Sequence, residues 1–384
     1  MNKIKIISIF GTRPEAIKMC PLVLELSKHT EFESKVCVTA QHRSMLDQVL
    51  GIFRINPDYD LDIMEERQTL SGILTKSVLG LDDVFEKEKP DLVLVHGDTS
   101  TTFAGALSAF YHKIPVGHVE AGLRTYNMYS PYPEEINRKL TGAIATLHFA
   151  PTALNKENLK RENITKNVYV TGNTVIDAIK ETVKDGYVFA DPALRKISYD
   201  KERVILVTAH RRENYGEPLR EIMESLKEIA ETYKDVRIVY PVHLSPVVRE
   251  TAYSILGGVS RVELIDPISV DEMHNLIARA YMVMTDSGGL QEEAPGLAKP
   301  VLVLRRETER PEAVNAGTVK LAGVTKQSIL ALAKTLLNSP EEYEKMAHAV
   351  NPYGDGHASA RIAQAILYYY NFTKTMPEEF NGGC

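Results

Sequence analysis

Short apolar runs recur along this chain, and longer stretches of mixed apolar and charged residues separate them. The first run, residues 3–10, predicts a strand, and Gly11-Thr12-Arg13-Pro14-Glu15 turns from it into a helix, with Pro14 suited to the first turn. Further strands are expected at 36–40, 91–95, 114–119, 147–150 and 168–170. Beyond Gly172 the pattern loosens through Asp185-Gly186 and Ala190-Asp191-Pro192. A second series then follows at 204–208, 236–240, 262–265, 281–285 and 300–304. Strands alternating with helices mean parallel, doubly wound sheets, so the expected fold is α/β with two Rossmann-like domains. The expected boundaries are 1–172 plus 357–384 for the first domain and 173–356 for the second. A last helix over 357–370 has room to cross back onto the first domain, and the tail 377–384 reads as frayed.

Composition supports this picture and narrows the partners. A chain of 384 residues is long for one core. Its 44% hydrophobic and 25% charged content is that of an ordinary globular protein. A net charge of -6 argues against nucleic acid as partner. Cys20, Cys37 and Cys384 are scattered and odd in number, which fits a reducing compartment better than a disulfide framework. No apolar run reaches the length of a membrane span, and Arg13 and Glu15 follow the first run too closely for a signal peptide. A cytoplasmic protein without a membrane partner is therefore expected.

Ligands of open α/β sheets bind beyond the carboxyl ends of the strands, and there the polar residues gather. His96, Asp98, His118, Glu120 and Glu134 do so in the first half, and His210, Arg211, His243 and Ser287 in the second. Two such edges facing each other would enclose a cleft. In the second half, Thr285-Asp286-Ser287-Gly288-Gly289 runs from a strand into a helix, a design that offers backbone N–H groups to an anion. Glu293, one turn on, could accept hydrogen bonds from ribose hydroxyls. A plain N-cap explains the same residues. Asp-Ser-Gly-Gly is also similar to the nucleophile segment of trypsin-like serine proteases, but those are all-β, and the helix expected here counts against them.

Asp98, Glu120 and Glu134 come from separate loops, and converging carboxylates can divide the roles of acid and base. Taken singly, each has a plain local reading: Asp98-Thr99 as a helix cap, and Glu134-Glu135 in a first helical turn after Pro133. His210 ends a strand and precedes basic residues; it reads as an ordinary loop histidine, and beside a diphosphate it would donate a hydrogen bond or a proton. His118 and Glu120, one residue apart, would share a strand face, but no third ligand at zinc spacing appears and no metal is expected. The first turn lacks Gly-x-Gly-x-x-Gly, and there is no Walker lysine motif, so no cofactor is expected.

An ordered set of motifs carries a resemblance: Phe10-Gly11-Thr12-Arg13-Pro14-Glu15-Ala16-Ile17-Lys18, His96-Gly97-Asp98-Thr99, His118 to Thr125, Pro133 to Arg138, His210 to Asn214, Thr285 to Ala294 and Glu309-Arg310-Pro311-Glu312. Together they resemble the UDP-N-acetylglucosamine 2-epimerase family in its non-hydrolysing bacterial and archaeal branch. The resemblance implies a glycosyltransferase-B-like fold and reversible conversion of UDP-GlcNAc to UDP-ManNAc, through loss and re-addition of UDP by way of a 2-acetamidoglucal. It assigns Asp98, Glu120 and Glu134 to proton handling and places His210 near the diphosphate. Arg13, Lys18, Arg138, Ser287, Gly288 and Gly289 would bind substrate, and Glu293 the ribose. Gln41, His42, Arg67, Gln68, Arg211 and His243 match positions that hold a second, activating UDP-GlcNAc, although each alone reads as an ordinary polar surface residue. A homodimer making cell-surface polysaccharide precursors is implied as well. The competing expectations are a hydrolysing epimerase releasing ManNAc and UDP, a sugar-transferring enzyme on the same fold, and a catalytically dead nucleotide-sugar sensor.

Overall fold

The computed structural model describes residues 3–40, 43–65, 68–308 and 310–382. The chain divides into two compact units. The first runs to Glu181 and resumes from Tyr353 to Gly382; the second is Thr182–Pro352. The first division thus falls later than the expected Gly172, because the helix Thr174–Thr182 is held to the returning segment. Asp177 in that helix accepts the N–H groups of Ala358 and Ser359 at 3.2 and 2.8 Å.

The first unit contains β1 (Ile4–Phe10), β2 (Phe32–Val38), β3 (Tyr59–Asp60), β4 (Leu92–His96), β5 (Val116–Val119), β6 (Leu147–Ala150) and β7 (Val168–Val170). They pair in parallel in the order β3-β2-β1-β4-β5-β6-β7. The second unit contains β8 (Arg203–Thr208), β9 (Val236–Pro241), β10 (Val262–Ile265), β11 (Met282–Thr285), β12 (Val301–Val303) and β13 (Val319–Leu321), in the order β10-β9-β8-β11-β12-β13. The short strands β3 and β13 were not expected from the apolar pattern, because each is an edge strand with an exposed face.

Both sheets are covered on their two faces, which is why the central strands read as continuous apolar runs rather than alternating ones. Ile7, Ile9, Val93 and Val95 pack against Leu81, Phe85, Ala106 and Ala109 in the first unit. Ile205, Val207, Met282, Met284 and Leu302 pack with Leu219, Met223 and Leu226 in the second. Strand order reverses at β1/β4 and at β8/β11, the switch points of doubly wound sheets. Register makes the strand ends level there: Ile9 lies beside Val95 and His96 beside Val119 in one sheet, and Thr208 beside Thr285 in the other.

The returning helix spans Ala358–Tyr369 and packs on the helix Arg13–Ser27, as its length suggested. The described part of the tail, residues 377–382, is not frayed. Phe380 N–H donates to Val170 O at 2.8 Å, extending the edge at β7. Glu379 accepts from Val170 N–H at 3.2 Å and pairs with Lys156 at 2.6 Å. Among the described residues, no helix is long and apolar enough to cross a membrane.

Candidate active site

Gly11-Thr12, Gly97-Asp98 and Glu120 leave the first sheet side by side, after β1, β4 and β5. Thr12 and Glu15 form a capping box at the start of the helix Arg13–Ser27. Gly11 and Thr12 N–H donate to Glu15 Oε2 at 3.0 and 2.8 Å. The other Glu15 oxygen accepts from the Thr99 and Thr102 hydroxyls at 2.7 and 3.1 Å. One buried carboxylate therefore ties the turn after β1 to the helix after β4. Gly11 must lack a side chain here, since a Cβ would fall 2.0 Å from Thr39 Oγ1.

Glu120 has a left-handed backbone, φ 63°, directly after β5 ends at Val119. It does not share a strand face with His118, as the one-residue spacing suggested, because that turn parts their surroundings. The His118 ring meets Gly97 O from Nε2 at 2.7 Å, whereas the Glu120 carboxylate meets Lys18 and Asn173. Lys18 Nζ forms an ion pair with Glu120 Oε2, Asn173 Nδ2 donates to the same oxygen at 2.9 Å, and His96 Nε2 lies 3.6 Å away. Burial raises the Glu120 carboxyl, but the charge and hydrogen bond of Lys18, with His96 close by, outweigh it and hold the group well below the ordinary range. Burial drives His118 down to about 3, so the ring is neutral and donates Nε2–H to Gly97 O.

Asp98 is held by a second cation. Arg138 Nε and Nη2 approach Asp98 Oδ2 at 2.8 and 2.7 Å, and Asn137 Nδ2 donates to Asp98 O at 2.9 Å. Arg138 is fixed in turn by the buried Glu135, 3.1 Å from its Nη1. Glu135 also accepts the Thr125 and Tyr126 N–H groups at 3.0 and 2.9 Å. Glu134 opens the helix Glu134–Ile144, and its Oε2 is buried without a hydrogen-bond partner among the described residues. Thr99, not Asp98, caps the helix Ser100–Tyr111, accepting from Thr102 N–H at 3.1 Å. Lys18 and Arg138, expected to bind substrate, thus hold carboxylates of the same edge, and Arg13 stands at the first position of its helix.

In the second unit the turn after β11 is built differently. Asp286 is fully buried, and its Oδ2 accepts from His210 N–H at 2.7 Å, Arg211 N–H at 2.8 Å and Asn214 Nδ2 at 3.3 Å. Its Oδ1 lies 3.3 Å from His210 Nδ1, off the line of a good hydrogen bond. Ser287, the N-cap of the helix Gly288–Glu293, makes no side-chain capping bond, so the plain-cap reading of this stretch does not hold. Gly288 lies close under Arg211, where a Cβ would stand 3.9 Å from Nη2. The His210 and His243 rings stack at 5.2 Å and 11°. Burial first, then His243 and Arg211, lower the His210 pKa against the opposing pull of Asp286, so the ring is neutral near pH 7. Glu293 Oε2 faces the buried His274, with 3.5 Å to Nε2.

Of the residues matched to a second nucleotide-sugar, Gln41, His42 and Arg67 lie outside the described residues, as does Glu309. Gln68 is half-buried in the first unit; Arg211 and His243 flank His210 in the second.

The model of the family described as UDP-N-acetylglucosamine 2-epimerase matches residues 24–367. The chain belongs to that family. The UDP-N-acetylglucosamine 2-epimerase of Bacillus subtilis is 58% identical over 383 residues, covering 100% of both chains. The crystal structure of UDP-GlcNAc 2-epimerase from Neisseria meningitidis bound to UDP-GlcNAc is 52% identical, with a TM-score of 0.85 over 94% of this chain and 99% of that one. The Methanocaldococcus jannaschii UDP-GlcNAc 2-epimerase in complex with UDP-GlcNAc and UDP is 35% identical, with a TM-score of 0.75 over 95% and 99%. Within this epimerase family chain, both halves carry the doubly wound sheet expected of a glycosyltransferase-B-like fold.

Several residues that build this candidate site were not picked out from the sequence. Glu15 carried a signal, the Thr-x-x-Glu spacing of a capping box. Asp286 was seen only as a possible cap, and its burial depends on packing between β8 and β11. Asn173 had no local signal, since only the return of the chain past β7 brings it to Glu120.

Proposed function

We propose that this chain interconverts UDP-N-acetylglucosamine and UDP-N-acetylmannosamine by the non-hydrolysing route. A carboxylate removes the C2 proton, and the C1–O bond to UDP breaks with its electron pair leaving on the diphosphate. The product of this step is an enzyme-held 2-acetamidoglucal. UDP then adds back to C1 while a protonated group delivers a proton to the other face of C2. Such chemistry needs groups that differ in proton affinity, and stabilisation of a departing diphosphate.

The observation that carries this reading is the unequal setting of the carboxylates on one sheet edge. Glu120 and Asp98 are each matched to a cation, whereas Glu134 has a buried oxygen with no partner. Different surroundings separate acid from base. We assign Asp98, Glu120 and Glu134 to proton handling, with Lys18, Arg138 and Arg13 as the cations of that edge. His210 and the Ser287-Gly288-Gly289 turn receive the diphosphate, and Glu293 the ribose. The relatives whose structures contain UDP-GlcNAc and UDP support the substrate. Turnover of UDP-GlcNAc in deuterium oxide, followed by proton NMR, tests it: product should carry deuterium at C2 with no net UDP. Retention of the original hydrogen would overturn the mechanism, and stoichiometric free UDP would assign the hydrolysing reaction instead.

By the same resemblance, UDP-GlcNAc also activates, through Gln68, Arg211 and His243 together with Gln41, His42 and Arg67. The rate should then rise sigmoidally with UDP-GlcNAc, and pure UDP-ManNAc should react only after a trace of UDP-GlcNAc is added; hyperbolic kinetics would refute activation. The resemblance further supports a cytoplasmic homodimer feeding polysaccharide synthesis.

A further inference from the structure

Glu135 is a fully buried carboxylate to which the proposed reaction gives no part. It is the second residue of the helix Glu134–Ile144, one turn before Arg138. Burying a carboxylate is costly unless hydrogen bonds and an opposite charge satisfy it. Three N–H donors do so here. Oε1 accepts from Tyr126 N–H at 2.9 Å, and Oε2 accepts from Thr125 N–H at 3.0 Å and from Arg138 Nη1 at 3.1 Å. Main-chain amides and a guanidinium can only donate, so the direction of each of these bonds is fixed.

Arg138 carries the link onward. Its Nε and Nη2 lie 2.8 and 2.7 Å from Asp98 Oδ2. One planar guanidinium is thus held between two carboxylates, Glu135 on one nitrogen and Asp98 on the others. A long arginine side chain with a single partner keeps much of its rotamer freedom, whereas a second partner on another nitrogen fixes the plane of the fork. Glu135 is the anchored end, because two main-chain N–H groups grip it. We propose that Glu135 is a positioning residue for the reaction: through Arg138 it holds the Asp98 carboxylate where it exchanges a proton with C2 of the sugar. Misplacing a reacting group by a fraction of its reach is enough to slow a proton transfer. This rests on the reading that Asp98 handles protons. The bonds to Thr125 and Tyr126 offer a plainer role, anchoring the entry of the loop 125–133. That loop has a further tie, the Tyr126 hydroxyl to Asn158 Oδ1 at 2.8 Å, so Glu135 can be altered without releasing it altogether.

The test reads kcat and KM for UDP-GlcNAc in the full chain, with Glu135→Gln made in the wild type and in Arg138→Met. In the wild type, Glu135→Gln should lower kcat by about tenfold, the size of one charge-assisted hydrogen bond, and leave KM unchanged. In the Arg138→Met background it should lower kcat by less than about twofold, because the residue it acts through is gone. Glu135→Asp, which keeps the charge, should recover part of the wild-type rate. A loop anchor would instead cost the same factor in both backgrounds, or raise KM alone, and either result overturns the proposal. Unchanged kcat in Glu135→Gln, with Asp98→Asn inactive, would overturn the positioning role and leave the Asp98 assignment standing. Near-normal turnover by Asp98→Asn would remove that assignment and the inference with it. If Glu135→Gln fails to fold, Glu135→Asp is measured in the same two backgrounds, and an equal loss in both overturns the proposal.

Discussion

At the switch point of the first unit, the turns carry carboxylates matched to cations; at that of the second, the turn buries a carboxylate among backbone donors. Glu120 and Asp98 each face a side-chain cation, Lys18 and Arg138. Asp286 is consumed by His210 N–H, Arg211 N–H and Asn214, and so spends its charge on shaping a loop. One topology thus gives its carboxylates two different settings. The difference lies in what meets the carboxylate: a side-chain cation in the first unit, chiefly main-chain N–H groups in the second.

Removing charge without changing shape separates the two turns most sharply. Glu134→Gln should slow epimerisation by roughly 10²–10⁴-fold with little change in melting temperature, because its Oε2 has no partner to lose. Glu120→Gln should lose comparable activity and also stability, since the largely buried Lys18 loses this ion pair. NMR turnover assays paired with thermal melts separate the two, and an unchanged rate in either variant removes that residue from proton handling.

Asp286→Ala tests the other side. It leaves the His210 and Arg211 N–H groups unpaired, at about 1–3 kcal/mol for each buried group. Urea unfolding should show the loss, and UDP affinity should fall because the loop is no longer held. Unaltered UDP binding in a destabilised protein would show that this loop does not receive the nucleotide.

A smaller effect is expected for Lys18→Met. Lys18 helps hold Glu120 ionised, so without it burial raises the Glu120 pKa. The acid limb of kcat/KM should move to higher pH, and a limb that stays in place would detach Glu120 from the rate.

The smallest effect concerns acid stability. His118 and His148 are lowered by burial from 6.5 to about 3 and about 4. The unfolded chain therefore binds more protons than the folded one below pH 6.5. Their contribution is complete above that pH and is lost as pH falls through the window toward 4 and below. Melting temperature should decline across it, and less steeply in His118→Gln. An equal slope would mean that His118 protonates without resistance.

The strands of both sheets were legible because buried parallel strands leave continuous apolar runs. The edge strands β3 and β13 were not, because half-exposed short strands look like loops. The tail was misread for a related reason: Glu379 and Phe380 are polar and aromatic residues with no local pattern, and only the open edge at β7 orders them.

Asp98, Glu120 and Glu134 could be picked out from sequence, since carboxylates that follow strands of one parallel sheet collect at one edge. Their partners could not. Lys18 reaches Glu120 across 102 positions and Arg138 reaches Asp98 across 40. Nothing in local sequence marks those pairings, which depend on strand order and register. Local chemistry thus determined the elements, the glycine turns and the candidate groups, because propensity and periodicity act over a few residues. Tertiary structure alone decided which carboxylate meets a cation, which is buried under backbone N–H groups, and which keeps an oxygen unpaired. Charge state is set by neighbours in space, and the sheet brings those neighbours together from distant parts of the chain.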